Sequence, residues 1–380
     1  MTPDPRRQVR GGDADRSEEH GRARVAIAIS SAEAGGIQKT ANRLGRALSE
    51  RYDVRIVSVL TEPRPHFDLP PGVAYEDLGM LPPRSWRFAA LRAFARMRRR
   101  LHALRPDVVV CLGNRASVLV LAASRGSGIP VIASERNDPR LQPVEGPVRW
   151  LRPRLYRRAA AVVVQTASVL SWAREQPFGE RTVVIPNAVE PTPHVARPAE
   201  SRAVVGLGRL VPQKGFDLLV EGFARVADRF PEWRLVIGGD GPERARLERL
   251  AADFGIEDRV TLAGTVHGAQ RWLSEASVLV LPSRYEGFPN VLLEGMSVGL
   301  ACVASRCPSG PEEILAPGTD GLLFDVDDVD ALAGHLEHLL ADPGLRQRLG
   351  AAARETVRRY DPTTTDVRWE QLVEHALGRS

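Results

Sequence analysis

Short β-branched runs punctuate the first half of the chain at residues 25–30, 54–60, 108–112, 131–134, 161–165 and 182–185, each bounded by turn residues, and they read as buried strands. Between most of them the apolar positions recur at helical spacing, as over residues 37–51 and 86–104. Strands alternating with helices predict a parallel α/β sheet. Residues 191–199, PTPHVARPA, are proline-rich and aperiodic and predict a linker. Beyond it the alternation restarts with a strand at 203–207, a helix at 216–229, a strand at 234–238, a helix at 243–254 and strands at 260–262, 278–281 and 301–305. The pattern predicts two doubly wound, Rossmann-like α/β units in series, with no visible repeat between their sequences. Residues 363–377 form one more amphipathic stretch, bearing Trp369 and Leu372, that either caps the second unit or crosses back to the first. The expected division is a disordered start at 1–23, a first domain at 24–190, a linker at 191–200, a second domain at 201–360 and a terminal helix at 361–380.

A length of 380 residues suits two domains of roughly 100 to 200 residues each. Hydrophobic residues make up 43% and charged residues 26%, a balance that excludes disorder or a fibrous fold for most of the chain. No apolar run approaches the roughly 20 residues that span a bilayer. The polar start lacks the apolar core of a secretory signal, so a cytoplasmic protein is expected. Cys111, Cys302 and Cys307 have neither even parity nor metal-ligand spacing, which predicts buried structural thiols rather than a disulfide framework or a zinc site. The net charge of +5 conceals an asymmetry: residues 1–190 carry 31 Lys plus Arg against 19 Asp plus Glu, or +12, and the remainder 21 against 28, or −7. A basic half suits nucleic acid, anionic lipid or a phosphorylated substrate, and composition does not choose among them.

In doubly wound sheets ligands sit beyond the carboxyl ends of the strands, so two facing units would line a cleft with the loops that follow strands. Four such loops are informative. Gly35 and Gly36, leading into a helix at Ile37, allow close backbone approach and present free N–H groups, although a tight turn alone explains them equally well. The dinucleotide pattern G-x-G-x-x-G is absent there, against a nicotinamide enzyme. In the loop after strand 203–207, Arg209 and Lys214 lie five residues apart beside glycines, where a guanidinium fork and an ammonium suit a diphosphate; a solvated surface pair is the alternative. Gly238, Gly239, Asp240, Gly241 and Pro242 make a sharp strand-to-helix turn that either lines a nucleotide pocket or is purely structural.

The most specific run is residues 284–294, RYEGFPNVLLE. Pro289 disfavours helix before it and Asn290 is a good N-cap, so a helix is expected from there through Val291, Leu292 and Leu293 to Met296. Glu286 then lies in the loop and Glu294 in the first turns of the helix. Free N–H groups at Asn290, Val291 and Leu292 would face a phosphate, while the two carboxylates accept hydrogen bonds from hydroxyls. A ligand with both sugar hydroxyls and a diphosphate is a nucleotide sugar.

Together the E-x(7)-E of Glu286 and Glu294, the G-R-L-x(3)-K-G of residues 208–215, the G-D-G-P-E of residues 239–243 and the early glycine pair resemble glycosyltransferase family 4, over roughly residues 25–377. The resemblance implies a GT-B fold of two facing Rossmann-like domains. It also implies sugar transfer with retention, without a metal ion or other cofactor, from a UDP-sugar as co-substrate. Position by position, Arg209 and Lys214 would hold the diphosphate and stabilise the leaving nucleotide, and Glu294 would bind the ribose hydroxyls. Glu286 would contact the donor sugar near its reacting centre, with Gly287, Phe288, Pro289, Asn290 and Val291 helping to hold the phosphates. Gly239 would line the nucleotide pocket, and Gly35 and Gly36 would sit beneath the diphosphate and sugar. Many family members place a histidine in the loop after the strand at 131–134; here that loop reads Ser134, Glu135, Arg136, Asn137, Asp138, Pro139. This run, with CPSGPE at 307–312, resembles a subgroup that builds polysaccharides and lipid-linked oligosaccharides. Glu135 and Asn137 are therefore the candidates for positioning the acceptor hydroxyl, against a merely structural turn.

The acceptor of such an enzyme binds the amino-terminal half, which here is the basic one. Residues 84–101 and 149–158 combine apolar positions, among them Trp86, Phe88, Leu91 and Trp150, with many arginines. They would rest on anionic lipid or grip a diphosphate-linked acceptor, or else pack their apolar stripes on the sheet with the arginines in water. Nucleic acid is the poorer explanation, because no recognition module or aromatic stacking pattern accompanies the charge. Three readings stand: transfer of a hexose or N-acetylhexosamine to a saccharide, lipid-linked or small-molecule hydroxyl; a nucleotide-sugar epimerase of the same architecture; and a non-catalytic two-lobed sugar-binding protein.

Overall fold

The computed structural model describes residues 21–30, 36–60, 68–79, 87–141 and 147–378. The amino-terminal domain runs β1 (Arg24–Ile29), α1 (Gly36–Ser49), β2 (Asp53–Ser58), β3 (Val73–Asp77), α2 (Arg87–Ala103), β4 (Val108–Leu112) and α3 (Asn114–Ala123). It continues with β5 (Val131–Ser134), α4 (Pro147–Tyr156), β6 (Ala161–Val164), α5 (Ala167–Arg174) and β7 (Thr182–Val184). These strands form one parallel sheet in the order β3-β2-β1-β4-β5-β6-β7. The carboxyl-terminal domain runs β8 (Ala203–Leu207), α6 (Phe216–Ala227), β9 (Arg234–Gly238), α7 (Arg244–Asp253), β10 (Val260–Gly264), α8 (Ala269–Leu273) and β11 (Val278–Leu281). It continues with α9 (Asn290–Val298), β12 (Ala301–Ser305), α10 (Pro311–Ile314), β13 (Leu322–Phe324), α11 (Val329–Ala341) and α12 (Pro343–Thr356). Its sheet, also parallel, has the order β10-β9-β8-β11-β12-β13. Two Rossmann-like units are thus present. The edge strand β3, VAYED, escapes the sequence pattern because two carboxylates interrupt its apolar signal, and β13 escapes it because it is three residues long.

Strands β4 and β6 are buried along their whole length, which is why they read as continuous β-branched runs rather than as alternation. In each sheet the strand order reverses beside the first strand, between β1 and β4 and between β8 and β11. Crevices open at such points, beyond the carboxyl ends of the strands. Helices α2 to α5 cover one face of the first sheet around Met97, Leu101, Val120 and Tyr156. The other face is covered by α1 and by α13 (Pro362–Ala376), the last helix of the chain.

Helix α13 crosses back to the amino-terminal domain. Asp361 caps it by accepting from the Thr363 N–H at 2.9 Å, and Trp369 and Val373 enter the same core as Ile27, Leu44, Leu48 and Val110. Ion pairs from Asp366 to Arg43 and from Glu374 to Arg51, the latter at 2.9 Å, flank that apolar stripe. Residues 191–200 are irregular. The two crossings between domains meet where the Val189 N–H donates to the Tyr360 carbonyl at 3.0 Å. Trp369 is 1% exposed, so Trp369→Ala is expected to remove about 3 to 5 kcal/mol of stability, read as a lowered urea midpoint with the main loss in the amino-terminal domain. All three cysteines are free and buried. Among the described residues no helix is long and apolar enough to cross a membrane.

Candidate functional site

The loop after β8 is shaped by its contacts with neighbouring loops. Leu210 N–H donates to the Asp240 carbonyl at 2.9 Å and Gly208 N–H to the Gly238 carbonyl at 3.0 Å, tying this loop to the turn after β9. Gly239 makes that tie sterically feasible: its φ is +129° and a Cβ there would lie 1.8 Å from the Gly208 carbonyl oxygen. Gly215, at φ +63°, likewise sits where a Cβ would lie 2.0 Å from the Pro282 carbonyl oxygen, pressing the loop after β8 against the end of β11. Lys214 thereby reaches Glu286, its Nζ 2.6 Å from Oε1, and Ser283 donates to the same oxygen at 2.7 Å. The Glu286 carboxylate is nearly buried, so its charge is held by these two partners. The Arg209 side chain is exposed and its guanidinium has no hydrogen-bond or ion-pair partner among the described residues. Arg284, adjacent in sequence to the site, serves the scaffold instead: it joins Asp217 at 2.9 Å and Asp327 at 3.0 Å.

Helix α9 begins at Asn290, but its N-cap is Pro289, not Asn290. The Asn290 side chain accepts from the Asn187 amide at 2.5 Å, and Asn187 in turn accepts from Arg136, so a side-chain contact between the domains takes the oxygen that would have capped the helix. Leu292 N–H donates to the Pro289 carbonyl at 3.0 Å. The helix start therefore offers the N–H groups of Asn290 and Val291, not three, to an anion.

The amino-terminal domain closes the other side. Lys39, on α1, meets Glu294, on α9, with 2.8 Å between Nζ and Oε1. Gly36 faces Asn290, where a Cβ would lie 2.8 Å from Nδ2. Gly287 approaches the loop after β5 so closely that a Cβ would lie 2.3 Å from the Arg136 carbonyl oxygen and 2.6 Å from the Asn137 Cα. The two sequence runs SERNDP and CPSGPE also meet: Ser309 donates to Asp138 across the domains. Glu313 accepts from the N–H groups of Ala167 and Ser168, at 2.7 and 2.9 Å, at the start of α5.

These contacts enclose an open cavity of about 510 Å³ between the domains, lined by Gly36, Asn137, Arg209, Lys214, Glu286, Gly287, Phe288, Pro289, Asn290, Val291 and Glu294. Lys39, Arg136, Gln165, Asn187 and Gln213 line it too, and the sequence did not single them out. Their signal was present in outline, since each sits in a loop or helix start after a strand. Past Lys39, Asn290 and Glu294 the cavity continues into a chamber of about 550 Å³ whose walls include Arg43, Arg46, His194 and Arg271. Burial pulls the Arg136 guanidinium down to about 9, and the nearby Arg43 adds to the effect.

Two expected site residues stand elsewhere and a third is not among those described. Gly35 lies outside the described residues. Gly239 shapes the turn beneath Gly208 and is not among the residues lining the cavity. Glu135 is a correction: it is buried away from the cavity, its Oε1 3.6 Å from Arg152 Nη1 on α4, because the chain leaves β5 with this side chain turned toward the helical layer and the next two turned toward the cleft. Burial pushes its carboxyl up to about 7, opposed by the Arg152 charge. The folded chain thus holds this proton more tightly than the unfolded chain, so its contribution to stability falls as pH rises from about 4.5 to about 7. The melting temperature of Glu135→Gln relative to the parent chain is accordingly expected to increase across that interval; a flat difference counts against a raised value.

Comparison with known proteins agrees with this architecture. Residues 35–188 match the glycosyl transferase 4-like domain and residues 192–356 match the glycosyl transferases group 1. The chain is 33% identical over 270 residues to the lipopolysaccharide core biosynthesis glycosyltransferase LpsD of Rhizobium meliloti, covering 69% of this chain and 73% of that one. It is 34% identical over 294 residues to an exopolysaccharide phosphotransferase of Streptomyces coelicolor, covering 74% of this chain but only 30% of that longer protein. Among solved structures, sucrose-phosphate synthase of Thermosynechococcus elongatus superposes with a TM-score of 0.82 at 22% identity, covering 94% of this chain and all of that one (100%). HepE of Anabaena, in complex with UDP-glucose, superposes with a TM-score of 0.76 at 18% identity, covering 93% of this chain and 98% of that one. At such identity the superpositions speak for the fold, two facing Rossmann-like domains of the GT-B type. With both halves matched in order and LpsD related over most of its length, the chain belongs to the group 1 glycosyltransferases that carry a 4-like amino-terminal domain.

Proposed function

We propose that the protein transfers a hexosyl or N-acetylhexosaminyl group from a UDP-sugar to a hydroxyl of a saccharide, lipid-linked or small-molecule acceptor during polysaccharide or glycoconjugate synthesis, with retention and without a metal ion. One observation carries the reading: the cavity brings Arg209, Lys214, Glu286, Glu294 and the start of α9 together, facing loops of the other domain. In this reading the bond from the sugar C1 to the diphosphate oxygen breaks, the nucleotide leaves with the electron pair, and the acceptor oxygen bonds to C1 as its proton passes to the departing diphosphate oxygen. Arg209, Lys214 and the N–H groups of Asn290 and Val291 neutralise the charge that builds on the diphosphate. Glu294 accepts from the ribose hydroxyls once Lys39 has moved aside, and Glu286 accepts from the donor sugar. Asn137 takes the acceptor-side role, since it lines the cavity and Glu135 does not. HepE, of similar fold, binds UDP-glucose, which supports a uridine nucleotide.

The test is a panel of UDP- and GDP-sugars, with slow hydrolysis of the donor as readout. Release of UDP supports the proposal. A sugar changed at one stereocentre with nothing released points to an epimerase, binding without either change points to a sugar-binding protein, and GDP release moves the donor class.

A further inference from the structure

Among the described residues between β1 and β7, the large exposed apolar side chains gather at one place. Leu91 is 64% exposed, Trp150 69% and Leu151 43%, and they stand in the opening turns of α2 and α4. In a parallel sheet the helix after each strand starts at the strand's carboxyl edge, so the openings of α2, α3 and α4 lie at the edge that also bears the cleft. Helix α3 packs against both of the others, which makes the three openings neighbours.

The charge there is one-sided. Arg92, Arg115 and Arg149 are exposed in these openings and have no ion-pair partner among the described residues. Along their full length α2 and α4 contain arginines and no carboxylate, and none of the three helices has an acidic residue in its first turn. A helix start is already electropositive and ordinarily attracts Asp or Glu. Three such starts side by side, decorated with guanidinium groups, repel one another until an anion covers them. An exposed tryptophan and two leucines amid them call for a partner that is apolar as well as anionic.

We propose that this edge docks on an anionic phospholipid bilayer, with Trp150, Leu151 and Leu91 in the boundary between headgroups and acyl chains and the arginines against lipid phosphates. Nucleic acid or an acidic polysaccharide would answer the charge and leave the apolar groups in water. The docking helix is tied to the cleft: Arg152, next to Leu151, turns inward to Glu135 at 3.6 Å, and the following residues Arg136 and Asn137 line the cavity. An acceptor anchored in the bilayer would then reach the cleft without leaving the membrane. That consequence rests on the transfer reaction proposed above; docking itself does not.

The test is sedimentation of the full chain, without sugar nucleotide, with phosphatidylcholine vesicles that contain or lack phosphatidylglycerol. Binding is expected to the anionic vesicles alone and to be lost at high salt. Arg92→Gln with Arg149→Gln is expected to lower partitioning about fivefold per arginine, and Trp150→Ser with Leu151→Ser to lower it as well, with melting temperatures unchanged because these side chains are exposed. Equal binding to neutral vesicles, binding to neither, unchanged partitioning in both double variants, or a DNA duplex bound as tightly as the vesicles overturns the proposal. Donor hydrolysis measured without vesicles separates a failure of docking from a failure of the transfer reading.

Discussion

Arg209→Ala is expected to lower kcat/KM for a UDP-sugar by roughly a hundredfold to a thousandfold, the loss seen when one preorganised electrostatic donor is removed from a transition state. The structure says why this arginine should outweigh its neighbour. Lys214 is held 2.6 Å from Glu286, so part of its field is spent before any donor binds, whereas the Arg209 guanidinium stands in the cleft without a partner among the described residues. Arg209→Lys should recover part of the loss, because an ammonium restores the charge but not the two-pronged geometry. Lys214→Ala has a second effect, since it strips a nearly buried carboxylate of its counter-ion and should cost stability as well as turnover. Adding Glu286→Gln to Lys214→Ala should return the stability and leave the activity low. If Arg209→Ala turns over at the parental rate, the diphosphate lies elsewhere.

Gly287→Ala is expected to lower kcat by about a hundredfold while leaving the melting temperature nearly unchanged. A single methyl at this position meets two backbone groups of the opposite domain, the Arg136 carbonyl oxygen at 2.3 Å and the Asn137 Cα at 2.6 Å, with no flexible tip to yield. Gly287 is absent from the positive-φ glycines, so alanine strains nothing locally and the clash acts only between the domains. The domains must part or the loop must shift, and a misplacement of about 1 Å at reacting atoms costs on the order of a hundredfold. Donor binding, which depends mainly on the carboxyl-terminal loops, should change less than kcat. Parental kcat in this variant would mean that the close approach of these loops is not needed for turnover.

Much of the architecture was legible in the order of residues. Strands β4, β6 and β11 are buried on both faces, and such strands must be apolar at every position, so they announce themselves. The loops after β8 and β11 announce themselves too, because glycines and charged residues interrupt otherwise apolar alternation. Edge strand β3 did not, since a half-covered strand tolerates Glu76 and Asp77. The Asn290 cap failed for a different reason: the local preference was sound, but Asn187, 103 positions away, offered its side chain a partner across the cleft. Glu135 failed because a strand buried on both faces gives no hint of which side its last residues will turn to.

The sequence by itself determined two doubly wound units and the loops at which their chemistry is placed, since burial periodicity and backbone freedom are local properties of the chain. Only the tertiary structure decided that Lys39 opposes Glu294, that SERNDP meets CPSGPE and that α13 belongs to the first domain's core. Those choices depend on how two separately wound sheets face each other, and charge pairs or apolar contacts between distant segments gain their energy only once that facing has excluded the alternatives.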